Sequence, residues 1–450
     1  MPPLPGIIVG PWRAVLVLGV TEILAWGTIF YPPVLIVPLI AHERGWSMTF
    51  AMAGFSLALL TAGLVSPRVG SMIDRHGGHR VMPIGSLLAA LGLTLIVYAD
   101  DPAAYLAVWL LLGVAIAATL YDPAFATLGR IFGAAARRPI TALTLAGGFA
   151  STVSWPATHF LLAAVGWRGT YLVYAALLAL VAAPLHAYAL PRTRADPAAR
   201  PEQPVQAPSV VLPPTGWPFL LVAAAFAAYA FVPSGLSAHL LAIFGRAGID
   251  AVTVVAIGAL FGPAQVAARI CELLFARGMH PLPIARFAVA MLLAAFALIA
   301  LLGLTAAAAA SFVVMFGMAN GLLTIARGAV PLALFGAAGY GHIVGRIGGP
   351  FLAMQANCAL RARLRRGACL RRSRARRDRG VCRDIVHRLC SHAPAKKLDT
   401  GELSVLAIEG RRSRRPLARF MRSARTRAHR SLPSSPPSSK PKSSSTSSAS

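Results

Sequence analysis

Ten apolar stretches, each long enough to cross a bilayer as a helix, dominate the first 355 residues of this chain. A hydrocarbon core about 30 Å thick needs about 20 apolar residues in helical form, because backbone polar groups cannot stay unpaired there. The stretches lie near residues 14–40, 48–67, 81–99, 104–131, 140–165, 169–190, 217–243, 251–275, 284–305 and 308–336. An eleventh begins near His342 and is cut short. We therefore predict an all-α integral membrane protein with about ten complete transmembrane helices and a truncated eleventh.

The distribution of charge excludes a water-soluble domain over the same residues. The chain carries a formal net charge of +28, yet residues 1–355 hold only 18 Lys and Arg with 10 Asp and Glu. A soluble protein devotes about a quarter of its residues to charge. Most of the excess lies in residues 356–450, which hold 25 Lys and Arg with 5 Asp and Glu.

Arginine is concentrated in alternate loops, which sets the expected orientation. With the N-terminus inside, the cytoplasmic loops contain Arg68, Arg75, Arg80, Arg137, Arg138, Arg192, Arg194, Arg200 and Arg277. The outer loops hold acidic or balanced pairs such as Asp100 with Asp101. The positive-inside rule therefore predicts a cytoplasmic N-terminus. The first apolar stretch has no small-residue cleavage site, so we expect a retained span and not a secretory signal.

One connection is much longer than the others. Residues 191–216 read PRTRADPAARPEQPVQAPSVVLPPTG, and their prolines disfavour helix. They predict a cytoplasmic linker between an N-terminal six-helix half at 1–190 and an incomplete C-terminal helical half at 217–355. Six plus six helices about such a loop is common among secondary transporters, which bind substrate at mid-membrane between two rocking halves.

A motif follows the second apolar stretch. Residues 70–80, GSMIDRHGGHR, resemble the loop signature of the major facilitator superfamily, Gly-x-x-x-Asp-Arg-x-Gly followed by basic residues. The residues that match the signature, or keep a charge of its basic cluster, are Gly70, Asp74, Arg75, Gly77 and Arg80. Gly78 and His79 depart from it, since the family usually has Arg or Lys there. The alternative is an ordinary positively charged loop.

The resemblance implies the fold of that superfamily, two six-helix halves, and a conformational latch at this loop. In such a latch Asp74, at a helix end, pairs with cations and with a neighbouring helix terminus, which holds one conformation of the two halves. GWR at residues 166–168 and GWS at residues 45–47 are similar to further short segments of the superfamily.

Three runs are most similar to bacterial carriers of the oxalate/formate and monocarboxylate groups: YDPAFATLGR, RRPITALTLAGGFAST and GPAQVAARICE. Two departures narrow the type of carrier. Trp109 stands where proton-coupled members often have Arg, and the fifth stretch lacks the Gly-Pro antiporter motif. The second departure disfavours a drug/proton exchanger.

Ionisable side chains inside the predicted spans are costly, about 3 kcal/mol each on insertion scales, so each is a candidate for function. The candidates for the substrate or proton pathway are Glu22, Asp122, Arg269 and Arg327. The resemblance implies that the first, fourth, seventh and tenth spans line a central cavity, with the eighth contributing. Two guanidiniums suit a small anion, because arginine binds a carboxylate through two parallel hydrogen bonds. Glu22 is the candidate for carrying a coupled proton.

A structural role is the alternative for each of these charges. Arg269 and Glu272 are three residues apart and could neutralise each other on one helix. Glu272 is also a candidate for the second-half counterpart of Asp74. Asp122 precedes Pro123 and could simply mark a helix break. Glu22 and Arg327 have no partner nearby in the sequence, which favours function.

Residues 356–450 are basic and rich in Ser and Pro, and we predict that they are disordered. The change from apolar to Arg-rich sequence near residue 357 is what out-of-frame translation of a GC-rich gene would give. This hypothesis removes the eleventh and twelfth spans of the family. Charge-driven binding of anionic lipid or nucleic acid is the alternative, although nothing in the tail supports a specific nucleic-acid partner.

Together these features predict a secondary transporter of small organic anions such as carboxylates, working by alternating access, with proton coupling left open. We expect a monomer in the inner membrane of a bacterium, whose partners are a small-molecule substrate and the lipid bilayer. No enzyme motif, metal spacing or nucleotide-binding loop occurs in the apolar body, so no enzyme, metal site or cofactor is expected. The alternatives are efflux of hydrophobic compounds, or a nonconducting membrane protein with a basic anion-binding tail.

Overall fold

The computed structural model describes residues 10–192, 214–276 and 278–356, except for the side chains of residues 237–239, 241, 242 and 251. Most of the predicted linker and nearly all of the basic tail, with its hypothetical frameshift, lie outside these residues. The described residues are helical throughout their long elements and contain no strand, which confirms the all-α prediction. The helices, in chain order, are α1 (Arg13–Ala25), α2 (Pro33–Glu43), α3 (Met48–His76), α4 (Gly78–Tyr98), α5 (Pro102–Thr119), α6 (Tyr121–Phe132), α7 (Arg137–Gly147), α8 (Ala150–Leu177), α9 (Gly216–Arg246), α10 (Ala251–Ala259), α11 (Phe261–Phe275), α12 (Pro281–Leu302), α13 (Ala306–Phe335) and α14 (residues 340–356).

Eight helical segments of the described residues are long and apolar enough to cross a membrane. One of them, Pro102–Ala189, has 88 residues, several times the length of one crossing. Gly133 and Gly166 divide it, because both adopt a positive φ that an α-helix cannot continue through. The three parts correspond to the fourth, fifth and sixth predicted spans. The second span, predicted to end at residue 67, continues to His76, since Pro67 is accommodated inside α3.

The helix ends follow local sequence signals. Ser47 accepts a hydrogen bond from the backbone N–H of Phe50 at the start of α3. Asp101 does the same for Ala103 and Ala104 at the start of α5, where Pro102 occupies the first helical position. Such caps satisfy N–H groups that have no partner within the helix.

Several crossings are interrupted near their middle. Trp26–Phe30 form a π-helical segment between α1 and α2, and Leu120 is extended between α5 and α6. The helix also breaks at Gly148, between α7 and α8, and at Leu260, between α10 and α11. Irregular backbone at membrane depth is tolerated where it is buried in protein or lines a cavity, and discontinuous helices of this kind form the binding sites of many transporters.

We call α1–α8 the first helix group and α9–α14 the second helix group. A large apolar core joins residues of the first group to α13 and α14, and a separate core lies within the second group. Large apolar side chains such as Leu180, Phe275 and Leu301 are mostly exposed on the outside. An outer surface of this kind suits a lipid environment, in which apolar groups need no burial.

Small residues allow the helices to approach closely. A Cβ atom on Gly113 of α5 would lie 2.5 Å from the carbonyl oxygen of Ala58 on α3. That oxygen belongs to the backbone, so it cannot move aside as a flexible side chain could. Glycine is therefore required at this crossing of α3 and α5.

We expect Gly113→Ala to destabilise the protein by about 1–3 kcal/mol, because the added methyl group must push α3 and α5 apart. Gly262→Ala on α11 is the matched control, since a Cβ atom there meets nothing within 4 Å. The measurement is the thermal unfolding midpoint of each purified variant in detergent. Equal midpoints for Gly113→Ala and Gly262→Ala would contradict the proposed close packing.

Candidate functional site

Asp122 and Arg327 form a buried ion pair. The interruption at Leu120 places Asp122 in the first turn of α6, where a helix N-terminus favours a negative charge. Arg327 Nη2 lies 2.8 Å from Asp122 Oδ1, and the two side chains are 9% and 10% exposed. No hydrogen bond from the described residues reaches Oδ1, so the contact is ionic. The guanidinium also lies 4.4 Å from the ring centre of Phe351. Arg327 thus has a partner that its sequence neighbours do not reveal.

Glu22 lies close to this pair but is not bonded to it. Its side chain is fully buried, and its Oε2 accepts a hydrogen bond of 2.8 Å from Trp26 Nε1. Its Oε1 has no hydrogen-bond partner among the described residues. Asp122 and Arg327 are both within electrostatic range of Glu22. The site therefore combines two carboxyl groups with one guanidinium.

Arg269 is a second buried cation, and no carboxylate pairs with it in the described part of the chain. It is 2% exposed. Nη1 donates a hydrogen bond of 2.6 Å to the backbone oxygen of Thr144, and Nη2 donates one of 3.1 Å to Gln265. Thr144 lies in the last turn of α7, before the break at Gly148, where helix carbonyls carry partial negative charge. Dipoles hold this cation in place but leave its charge unmatched.

The hypothesis that Arg269 and Glu272 neutralise each other is wrong. Glu272 Oε1 accepts a hydrogen bond of 2.7 Å from Arg137, and Oε2 accepts one of 2.9 Å from Thr141. Arg137 and Thr141 belong to α7, whereas Glu272 belongs to α11. From the sequence, Arg137 is expected only to be one of the cytoplasmic loop charges. No local signal connects it with Glu272, which lies 135 positions away.

A small cavity lies against the ion pair. Its wall is mostly apolar and aromatic, with a few polar groups, which is typical of small-molecule sites. The wall is formed by Trp26, Phe30, Ile116, Ala117, Leu120, Tyr121, Asp122, Pro123, Arg327, Phe351, Leu352 and Gln355. Most of these residues flank the interruptions at Trp26–Phe30 and at Leu120, so the broken helices shape the cavity.

Asp74 joins the two helix groups at the end of α3. Its Oδ1 accepts a hydrogen bond from the N–H of Gly341, and its Oδ2 accepts one from the N–H of His342, both at 2.9 Å. These N–H groups belong to the first turn of α14, so the carboxylate caps a helix N-terminus. Arg130 donates a hydrogen bond to the backbone oxygen of Asp74.

Two glycines of the motif shape this contact, whereas its arginines, within the described residues, do not take part in it. A Cβ atom on Gly70 would collide with the backbone of Gly341, so Gly70 permits the close approach of α3 and α14. Gly77 has a φ of +83° and ends α3. Arg75 and Arg80 are exposed.

Two contacts therefore tie the helix groups together on one face of the membrane. Since successive crossings alternate in direction, the ends of α3 and α11 lie on the same face as the starts of α7 and α14. We call this the latch face; it carries the Asp74 contact with α14 and the contact of Glu272 with Arg137. Glu272 thus occupies a position in the second group that corresponds to that of Asp74 in the first.

Comparison with known proteins agrees with this architecture. A family model described as Major Facilitator Superfamily matches residues 2–351. Monocarboxylate transporter 11 of Homo sapiens is 35% identical over 157 residues, which cover 34% of this chain and 32% of the relative. The Mus musculus protein of the same name is 35% identical over 126 residues, or 27% of each chain. The match thus spans about a third of the length of these relatives.

Two solved structures share the fold. The human organic anion transporter MFSD10 (TETRAN) has a TM-score of 0.58 and 17% identity, and the match covers 78% of this chain and 92% of that one. The proton:xylose symporter XylE has a TM-score of 0.54 and 11% identity, with 78% and 94% covered. At these identities the likeness shows the fold alone.

We expect Asp74→Asn and Glu272→Gln each to open the latch face, because each change weakens a charge-assisted contact between the groups by about 1–3 kcal/mol. Spin labels on Arg138→Cys and Gly278→Cys, two exposed positions beside the contact of Glu272 with Arg137, report the separation. The native cysteines are replaced first. Double electron–electron resonance should show a longer distance in both variants.

The matched control is Glu43→Gln. Glu43 forms an ion pair with Arg168 inside the first helix group, on the opposite face, so its loss should leave the label distance unchanged. Parent-like distances in both latch variants would show that these contacts do not hold the groups together.

Proposed function

The chain belongs to the major facilitator superfamily, and on that premise we propose that it carries a small organic anion with a carboxylate group across a membrane by alternating access. The carboxylate binds Arg269, and Glu22 carries a coupled proton. The halves that move are residues 1–190 and 217–355. We further propose that the protein is a monomer in the inner membrane of a bacterium, with its N-terminus and its latch face in the cytoplasm.

The unmatched charge of Arg269 carries this proposal. A buried guanidinium without a counter-ion costs several kcal/mol in a low-dielectric setting, roughly as much as any buried charge deprived of its partner. An incoming carboxylate removes that cost and gains charge-assisted hydrogen bonds. Uncharged ligands of the same shape gain neither, so the site discriminates by charge.

Glu22 supports the proton step. It is buried beside the Asp122–Arg327 pair, with one oxygen unpaired. With both carboxyl groups ionised, the three side chains carry a net negative charge; a proton on Glu22 makes the set neutral. Proton arrival therefore lowers the repulsion that an anionic substrate meets near Arg269. The two ligands favour each other's binding, which is what symport requires.

The names of the sequence relatives agree with a carboxylate substrate, since both are called monocarboxylate transporters. Efflux of hydrophobic compounds is the second candidate, because the wall of the cavity is mostly apolar. The two differ in one property: a carboxylate carrier needs the charge of its ligand, whereas an efflux carrier of hydrophobic compounds does not.

We expect Arg269→Ala to reduce carboxylate uptake by about 10- to 100-fold, the effect of losing hydrogen bonds to a charged group. The measurement is uptake of radiolabelled organic acids by proteoliposomes that contain the full chain. Arg246→Ala is the matched control, because Arg246 is exposed at the end of α9. Full activity of Arg269→Ala would exclude this site.

Arg327→Ala should abolish uptake, because it leaves Asp122 buried without its partner. The double variant Asp122→Asn/Arg327→Gln removes both charges and separates the two roles of the pair. Recovery of uptake in the double variant would assign the pair to structure, and continued loss would assign it to transport.

We expect Glu22→Gln to uncouple transport from protons. Glutamine keeps the size of the side chain and can accept the Trp26 hydrogen bond, but it cannot release a proton. Exchange of labelled for unlabelled carboxylate across the membrane should persist, whereas stimulation of net uptake by an inward proton gradient should be lost. If the proton gradient stimulates uptake by the variant as much as by the parent, a residue other than Glu22 carries the proton.

A further inference from the structure

We propose that the transported anion is an aromatic monocarboxylate, whose carboxylate binds Arg269 and whose ring lies among aromatic side chains at the interrupted helices. The inference rests on the carboxylate transport proposed above and adds the chemical class of the substrate. It follows from three features: the cation without a carboxylate partner among the described residues, the arrangement of the aromatic rings, and the position of Arg269 near two of those rings.

The charges allow one carboxylate. Arg327 is matched by Asp122 at 2.8 Å, whereas the hydrogen-bond partners of Arg269 among the described residues are neutral acceptors. A dicarboxylate would bring a second negative charge beside Asp122 and Glu22, which repel it. A single carboxylate with an uncharged body fits this balance.

The rings form a connected cluster. The ring centre of Trp26 lies 4.5 Å from that of Phe30 and 5.1 Å from that of Tyr121. Tyr31 lies 5.9 Å from Trp26 and 6.2 Å from Trp155. The rings are tilted against one another, not stacked face to face. Aromatic rings prefer offset or edge-to-face partners with centres 4.5–7 Å apart, so a ligand ring can extend this cluster with the same geometry.

Trp26, Phe30, Tyr121 and Phe351 line the cavity, and Arg327 lies over the ring of Phe351. The lining offers few hydrogen-bonding groups, and Arg327 and Asp122 already hold each other. A sugar or other polyhydroxylated body would lose its water without enough partners. A flat apolar body has few hydrogen bonds to water, so it loses few of them on entering the cavity.

Tyr121 connects this cluster to the cation. A Cβ atom on Gly147 would collide with the Tyr121 hydroxyl, and a Cβ atom on the next residue, Gly148, would collide with Arg269 Nη1. The Tyr121 hydroxyl and the guanidinium thus lie against neighbouring residues of α7 and its end, and Tyr31 and Tyr121 are both within electrostatic range of Arg269. The phenol ring of Tyr121 also borders the cavity. A compact ligand whose ring and carboxylate are joined directly, as in benzoate, suits a cation and a ring in this arrangement.

The test compares four ligands on the purified full chain in lipid nanodiscs, by isothermal titration calorimetry. Benzoate should bind about 10- to 100-fold more tightly than acetate, because acetate leaves the rings unfilled. Cyclohexanecarboxylate has the same charge and a similar size, but its ring is not flat. It should bind about 2- to 10-fold more weakly than benzoate. Benzamide, which has the ring without the charge, should not bind detectably.

Variants separate the ring from the charge. Tyr121→Leu should bring the affinities for benzoate and cyclohexanecarboxylate together and leave that for acetate unchanged, whereas Tyr121→Phe should keep the preference for benzoate. Phe160→Leu is the matched control, since this ring is 70% exposed on α8. Its ligand preferences should equal those of the parent.

The outcomes distinguish this inference from the function on which it rests. Equal binding of benzoate and acetate would overturn the aromatic class and leave carboxylate transport standing. Tight binding of benzamide would overturn both, because charge would then not matter. Failure of all the carboxylates to bind would also overturn both. If Tyr121→Leu still prefers benzoate to cyclohexanecarboxylate, the ring of the ligand does not bind beside Tyr121.

Discussion

The hydrogen bond from Arg269 to Thr144 is the interaction on which the rest of the site depends, because it holds a cation where α7 ends inside the membrane. Thr144 lies in the last turn of α7, where helix carbonyl groups carry partial negative charge. Its oxygen accepts the N–H of Gly148 and also takes a hydrogen bond from the guanidinium of Arg269 on α11. The contact fixes a cation that has no carboxylate partner among the described residues, and the proposed anion site depends on this charge.

The other interruptions follow the same logic. The extended residue Leu120 exposes the N-terminus of α6, and Asp122 occupies the favourable end of that helix dipole before it meets Arg327. Trp26 lies one α-helical turn after Glu22, which lets it donate its hydrogen bond to that carboxyl group, and its ring lines the cavity where the π-helical segment begins. The breaks at Leu120 and at Trp26–Phe30 therefore each lie beside a charged group and an aromatic group, so the candidate site lies where the helices are least regular.

The sequence predicts the fold well, because apolar length and loop charge follow directly from the constraints of the bilayer. It also locates the four buried charges and the latch motif, since these residue types are rare in spans. The sequence does not predict which side chains pair between the two helix groups. Arg137 and Glu272 meet only after four intervening crossings have packed, and the local spacing of Arg269 and Glu272 suggests a pair that does not form. Arg327 likewise finds Asp122 only through the packing of α13 against α6 and α7.

The distribution of inter-group contacts bears on the direction of access. On the latch face, Asp74 binds the start of α14 and Glu272 binds Arg137, so each contact spans the two groups. On the opposite face, the ion pairs of the described residues, Glu43 with Arg168 and Arg44 with Asp100, lie within the first group. Those pairs stiffen one group without holding it to the other. Separation of the groups on that face breaks no ion pair among the described residues, whereas separation on the latch face breaks at least one salt bridge and one capped helix terminus. The charged contacts of the described residues therefore hold the two groups together on the latch face and not on the opposite face, so in the proposed alternating-access mechanism Asp74 and Glu272 would set the cost of reversing access.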